Sequence, residues 1–302
     1  MVLRSRNFPF HTTEELEILS GRKTGPKPKV VNLGDEFFYP PNYLQENLKS
    51  VLVFTENTKK RDIPSGSAWE YTDNIYRPEI LRDDVGCGMT LYLTQKGAQT
   101  KDLIEVVSQY NYGGGNHFLN KGSFDDELDY LLLHADMNPD KIVPKTLNEA
   151  QTQVETSTSK RRELLEDISN DLGISAHYFK DWPHNHFEFK EDAVTYLKGV
   201  IDTKTTQGIG LLALNPQDGA VLYGQLSKVL NGYMQHGLGV KNHDFLKEYA
   251  SSDNGTHRYY VPRENSKVRG SFNSASMFIK KFYPSTALIN TELPVDISIR
   301  SR

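Results

Sequence analysis

The 302-residue chain is 37% hydrophobic and 25% charged, the composition of a soluble globular protein with a sizeable core. No apolar run reaches the roughly 18 residues a spanning helix needs, and the first six residues lack the apolar stretch of a secretory signal. Lys plus Arg (35) nearly balances Asp plus Glu (39), for a net charge of −4, which argues against broad non-specific nucleic-acid binding. One cysteine cannot form an internal disulfide, so a cytoplasmic location is expected.

Residues 1–80 are rich in turns and short extended pieces. Gly21 to Lys29 is a basic, proline-bearing loop, read either as solvated or as a phosphate contact. The segment Asp84-Val85-Gly86-Cys87-Gly88-Met89 then sets a carboxylate and the only thiol beside two glycines. Met89, Leu91 and Leu93 alternate after it as one face of a strand. A divalent cation drives deprotonation of a ligating cysteine, and the same pattern also suits an inert buried cysteine. A short helix is predicted over Lys101 to Tyr110, with Thr100 as N-cap and Leu103, Ile104 and Val107 on its apolar side. Gly113-Gly114-Gly115 precede Asn116 and His117, in a run that lets backbone approach a ligand closely or serves as a plain loop.

Tyr130 to Asp136 reads as a buried strand ending in His134, a position shared by ligands and satisfied core histidines. Residues 145–172 carry the strongest helical pattern. Leu164, Leu165, Ile168 and Leu172 share a face, Gly173 supplies the stop, and Lys160-Arg161-Arg162 is assigned to the solvated side. Pro183 to Phe189 alternates as a strand with His184, His186 and Glu188 on one side, a geometry suited to metal ligation. Periodicity does not choose between the two histidines. Further strands are predicted over Ala193 to Val200, Gly210 to Leu214 and Ala220 to Leu226, with a turn over Asn215 to Gly219. His236 opens a glycine-flanked turn, Gln235-His236-Gly237-Leu238-Gly239. In the tail, Arg258, Arg263, Lys267 and Arg269 accompany Tyr259 and Tyr260, a nucleic-acid-reading mixture or a surface loop. No repeat or linker divides the chain, so a single domain over 1–302 is expected, with 1–80 and 251–302 as its divergent ends.

The order D-x-G-C-G-M (from Asp84), G-N-H-F (from Gly115), L-H (Leu133-His134), H-N (His184-Asn185) and H-G-x-G (from His236) resembles the RtcB family of tRNA-splicing RNA ligases, over roughly Arg82 to Lys241. The resemblance implies an α+β fold of mixed sheets with flanking helices and a dinuclear metal site in a central cleft. It implies Asp84, Cys87, His117, His134 and His184 as ligands of two Mn²⁺ ions, a set Zn²⁺ can also occupy, with the Cys87 thiolate as bridge. His236 would be the nucleophile that GTP guanylylates. Asn116, Asn120, Asn185, Lys198, Gly237 and Gly239 would line the nucleotide site. The implied partners are RNA 3′-phosphate or 2′,3′-cyclic phosphate ends and 5′-hydroxyl ends, with no membrane and with any activating protein unspecified. Asn120 stands where the family has a glutamate, Val240 where it has an arginine, and Asn215 to Asp218 replace a Pro-Gly-Ser-Met turn. These differences favour an alternative, a metal-dependent phosphoesterase or cyclic-phosphate hydrolase independent of GTP; a third reading, a non-catalytic RNA-end binder, is opposed by the ligand set and the modest net charge.

Overall fold

The computed structural model of the protein describes residues 27–33, 37–54, 59–60, 63–97, 100–113, 117–214, 219–224, 230–237, 249–262, 277 and 290–301. In chain order the first elements are β1 (Lys29–Asn32), β2 (Leu48–Val53), β3 (Lys59–Lys60), β4 (Ile63–Pro64), β5 (Ser67–Tyr71) and the short helix α1 (Pro78–Leu81). A 3₁₀ turn, Arg82–Asp84, leads into β6 (Gly88–Gln95), α2 (Thr100–Val107), β7 (Phe118–Ser123), β8 (Leu128–Ala135) and the long helix α3 (Leu147–Asp171). There follow β9 (Ala176–Pro183), β10 (Asn185–Lys190), β11 (Ala193–Lys198), β12 (Val200–Asp202), β13 (Gly210–Ala213) and β14 (Ala220–Tyr223). The last described strands are β15 (Tyr233–Gln235), β16 (Tyr249–Asp253), β17 (His257–Pro262), β18 (Asn290–Leu293) and β19 (Ile297–Ser301). The class is α+β, mostly sheet with few helices.

The largest sheet runs β16-β17-β19-β7-β8-β6-β9, antiparallel throughout, and a second runs β1-β2-β5-β11-β10. The three-stranded sheet β13-β14-β18 lies between them. Its side chains alternate: Leu211, Ala213, Ala220 and Leu222 pack on Met89, Leu91, Leu132 and Trp182 of the large sheet. Leu212, Leu214, Val221 and Tyr223 pack on Ala68, Leu197 and Val200 from the other side. Burial on both faces explains why these strands read as unbroken apolar runs.

Helices α2 and α3 cover the opposite face of the large sheet, where Leu103, Val107, Leu164, Leu165 and Ile168 meet Leu119, Leu131, Leu133, Ile297 and Ile299. Each such buried side chain contributes roughly 1.5–3 kcal/mol. Helix α3 begins where Thr146 Oγ1 accepts the Glu149 amide at 3.3 Å. It ends at Gly173, φ +64°, with the Ile174 amide bonded back to the Ser169 carbonyl at 3.0 Å.

Three sequence expectations need correction. The strand expected over Pro183 to Phe189 is broken at His184: β9 ends in the large sheet at Pro183 and β10 begins in the five-stranded sheet at Asn185. The strand expected over Ala193 to Val200 breaks at Gly199, φ +64°, where a Cβ would crowd the Gly66 amide at 2.8 Å. Arg161, assigned above to solvent, is fully buried against the large sheet. Tyr259 and Tyr260 are buried in β17, Tyr259 among the residues of the helix-side core, while Arg258 lies beside Asp253, Nε to Oδ2 3.6 Å. Arg263, Lys267, Arg269, residues 21–26 and the turn over 215–218 lie outside the described residues.

Candidate metal centre and nucleophile

Four chain segments converge at one end of the large sheet. Cys87 sits in the turn entering β6, His117 just before β7, His134 next to last in β8, and His184 at the crossing between the two sheets. Backbone bonds stitch them together. The Cys87 carbonyl accepts the His184 amide at 3.0 Å and the Asn185 amide at 3.3 Å, and the Gly86 amide donates to the Asn185 carbonyl at 2.8 Å. In the ladders, Met89 and Phe118 both lie opposite His134.

The resulting geometry is compact. Cys87 Sγ lies 3.3 Å from His134 Nε2 and 3.8 Å from His117 Nε2, and His134 Nε2 lies 3.2 Å from His184 Nε2. Cys87, His134 and His184 are buried, and their donor atoms all lie within 4.8 Å of one another, so the group could hold a metal ion. The spacing tests that fit. A tetrahedral ion with bonds of about 2.0–2.1 Å to nitrogen and 2.3 Å to sulfur sets its ligands about 3.3–3.6 Å apart. Within the group, the observed 3.3 Å and 3.2 Å lie at or just below those edges.

Electrostatics favour the ligating form at the histidine and oppose it at the thiol. Burial, followed by Asp136 and Asp84, pushes the Cys87 thiol well up, while Arg161 and Lys141 pull it down. Burial, with His236 and His134 next, holds His184 well below the ordinary histidine range. Neutral imidazole is the ligating form, and a cation supplies what the protein lacks to remove the thiol proton.

His117 also faces Asp136, Nε2 to Oδ2 3.7 Å. Gly113, φ +97°, packs where a Cβ would press His117 Nδ1 at 2.6 Å. Asp84 is half-buried at the end of the 3₁₀ turn, its carbonyl accepting the Cys87 amide at 3.1 Å. Its carboxylate is close enough to act on Cys87 and Lys141 but lies outside the tight three-residue group. Asp136 was missed by sequence reasoning. It is fully buried, accepts from Lys141 Nζ at 2.5 Å and from the Asn138 amide at 3.0 Å, and its place two residues after His134 was the available signal.

The histidine at 236 completes the arrangement. Its ring stacks on His184 with centroids 4.2 Å apart and planes 21° apart, and lies 6.0 Å from the His134 ring. Its amide and its Nδ1 both reach the Gly199 carbonyl at 3.0 Å. A carbonyl only accepts, so Nδ1 carries the proton and Nε2 the lone pair. Gly199 is held in turn by Asn185, whose Oδ1 accepts its amide at 2.7 Å.

No protein-family model matches the chain, and no curated protein matches its sequence. The remaining expected site residues are placed as follows. Asn120 is fully buried on β7, opposite Ser298 of β19. Lys198 is buried and donates to the Ile80 carbonyl at 2.8 Å. The Gly237 carbonyl accepts from Gln235 Nε2 at 2.7 Å. Asn116 and Gly239 lie outside the described residues, as does Val240. Among the described residues no helix is long and apolar enough to cross a membrane.

Proposed function

We propose that the protein is a metal-dependent RNA ligase that joins 3′-phosphate or 2′,3′-cyclic phosphate ends to 5′-hydroxyl ends through a histidine–GMP intermediate at His236. The observation that carries this is the His236 ring stacked at 4.2 Å on His184 with its Nδ1 on the Gly199 carbonyl. An imidazole held in one orientation against a member of the candidate ligand group supports a role as nucleophile. A merely structural metal site has no use for one.

In this proposal Cys87, His134 and His184 would hold a divalent ion, and His117 and Asp84 beside them would help hold a second. Bound cations of this kind, Mn²⁺ or Zn²⁺, neutralise phosphate oxygens during transfer. The rest is the work of the chain itself. His236 Nε2 attacks the α-phosphorus of GTP, forming an N–P bond as the P–O bond to pyrophosphate breaks. The proton stays on Nδ1, donated to the Gly199 carbonyl, which stabilises the positive charge the ring gains. Asn185 keeps that carbonyl in place. Where the end is a 2′,3′-cyclic phosphate, water first opens it to the 3′-phosphate. That phosphate then takes GMP as the N–P bond to His236 breaks, and the 5′-hydroxyl attacks the 3′-phosphorus, loses its proton and releases GMP.

Incubation with Mn²⁺ and α-labelled GTP tests the proposal: the protein acquires label that is acid-labile, alkali-stable and lost in His236→Ala. Metal uptake with no nucleotide attached would overturn it. One observation favours a second reading, a phosphoesterase or cyclic-phosphate hydrolase on the same ions. A fully buried amide, Asn120, stands where the resemblance expects a carboxylate for the guanine edge. Phosphate release from 3′-phosphate RNA without GTP selects that reading, and strict GTP dependence excludes it.

A further inference from the structure

Behind the candidate metal centre, on the helix side of the large sheet, one guanidinium reaches toward three of the ligand-bearing segments. Arg161 of α3 donates through one terminal nitrogen to the Gly86 carbonyl at 2.6 Å and the Ala135 carbonyl at 3.1 Å. These carbonyls belong to the residue before Cys87 and the residue after His134. Its Nε and other terminal nitrogen pair with Asp181 at 3.0 and 2.9 Å, on the strand that ends beside His184. Thr158 Oγ1 takes a further N–H at 3.1 Å, and Thr90 Oγ1 lies 3.1 Å from Nε and donates to Asp181. Arginine has five N–H donors in a rigid fork, and all five are used here.

One turn earlier on the same helix, Ser157 donates to the Asp136 carbonyl at 2.6 Å. The glycines around Cys87 fit this pair of side chains. A Cβ on Gly86, φ +85°, would meet Ser157 Oγ at 2.6 Å, and a Cβ on Gly88 would overlap the Arg161 guanidinium.

We propose that Arg161 is the positioning residue of the metal centre, setting the separation of Cys87, His134 and His184 by gripping Gly86, Ala135 and Asp181; this rests on the metal-site reading above. Fork geometry is the essential part. A lysine keeps the charge and most of the stem but reaches fewer of these acceptors at once.

The test uses the full chain and Co²⁺, whose visible spectrum reports coordination geometry. Arg161→Lys is compared with Leu164→Ala, which weakens the same helix–sheet packing without touching the carbonyls. Arg161→Lys is expected to bind Co²⁺ about 10- to 100-fold more weakly with an altered spectrum. Leu164→Ala is expected to melt lower yet keep the wild-type affinity and spectrum. If Arg161→Lys does not fold, Arg161→Leu combined with Asp181→Leu takes its place, since a buried ion pair is often replaceable by apolar residues without loss of stability. Wild-type affinity and spectrum in the Arg161 variant would overturn the positioning role alone, as would an equal change in Leu164→Ala. Failure of the wild-type chain to take up Co²⁺ in a Cys87-dependent way would remove the metal centre itself, and this role with it.

Discussion

The two faces of the large sheet at its Cys87 end are both polar and buried, yet they are built on opposite plans. On the helix side, Arg161, Asp181, Thr90 and Thr158 form a closed network in which the guanidinium donors all have acceptors, with Ser157 bonded beside it to the Asp136 carbonyl. On the cleft side, a thiol and two imidazole nitrogens turn toward one another at 3.2–3.3 Å. Each of these three atoms is also a metal-ligating atom, and together they form a compact group that could hold an ion. Desolvation of polar groups is offset by hydrogen bonds in the first case, while the second brings together a donor set that could hold a metal ion. A buried guanidinium whose donors all meet acceptors thus reads as scaffold, and a buried convergence of thiol and imidazoles reads as a candidate site.

The sharpest break between the faces is expected at His236. His236→Ala should lower nucleotide attachment by at least about 10³-fold, since it removes the proposed nucleophile. Metal uptake should persist, because the ring stacks on His184 and is not one of the three converging atoms. Intact labelling of the variant, measured on the denatured protein, would place the covalent chemistry elsewhere.

On the scaffold face the largest effect is on folding. Asp181→Ala leaves a fully buried guanidinium without its counter-charge, which should cost about 3–5 kcal/mol in denaturant unfolding. A loss below about 1 kcal/mol would mean that water reaches Arg161 and that the network is not closed.

The opposite balance is expected at Cys87. Cys87→Ala should weaken metal binding at least about 100-fold, worth about 2.7 kcal/mol. Without metal it should cost only about 1 kcal/mol, the loss of a small buried hydrophobe. Titration calorimetry and denaturant melts of the metal-free chain measure the two quantities. A large folding defect without metal would assign Cys87 to the scaffold.

Much of this was legible from sequence because it is local. The 3.6-residue stripe of α3 and its Gly173 stop, the buried strand into His134, and the glycines around Cys87 are all set by neighbours in the chain. What was not legible depends on distant partners. Arg161 sits three and four residues before Leu164 and Leu165, on their stripe, but its charge reads as solvated until Asp181 and the Gly86 carbonyl, 75 positions away, are seen. The sheet crossing at His184 is likewise invisible to periodicity, since alternation continues through it into β10. That crossing is what separates His184, in the cluster, from His186, outside it.

The smallest predicted effect tests whether α3 acts as a rigid carrier. Thr146 caps its first turn, more than three turns from Arg161, through a bond of 3.3 Å to the Glu149 amide. Thr146→Ala should cost about 1 kcal/mol of stability. The helix is pinned between the cap and the cluster by Ala150, which packs with Ile80, Val85 and Tyr196, and by Ser157. Fraying at the cap should therefore stop before Arg161, leaving Co²⁺ affinity and spectrum unchanged. A change in the spectrum of Thr146→Ala would mean that the two faces communicate along the whole helix, and the division between scaffold and site would have to be drawn further from the metal.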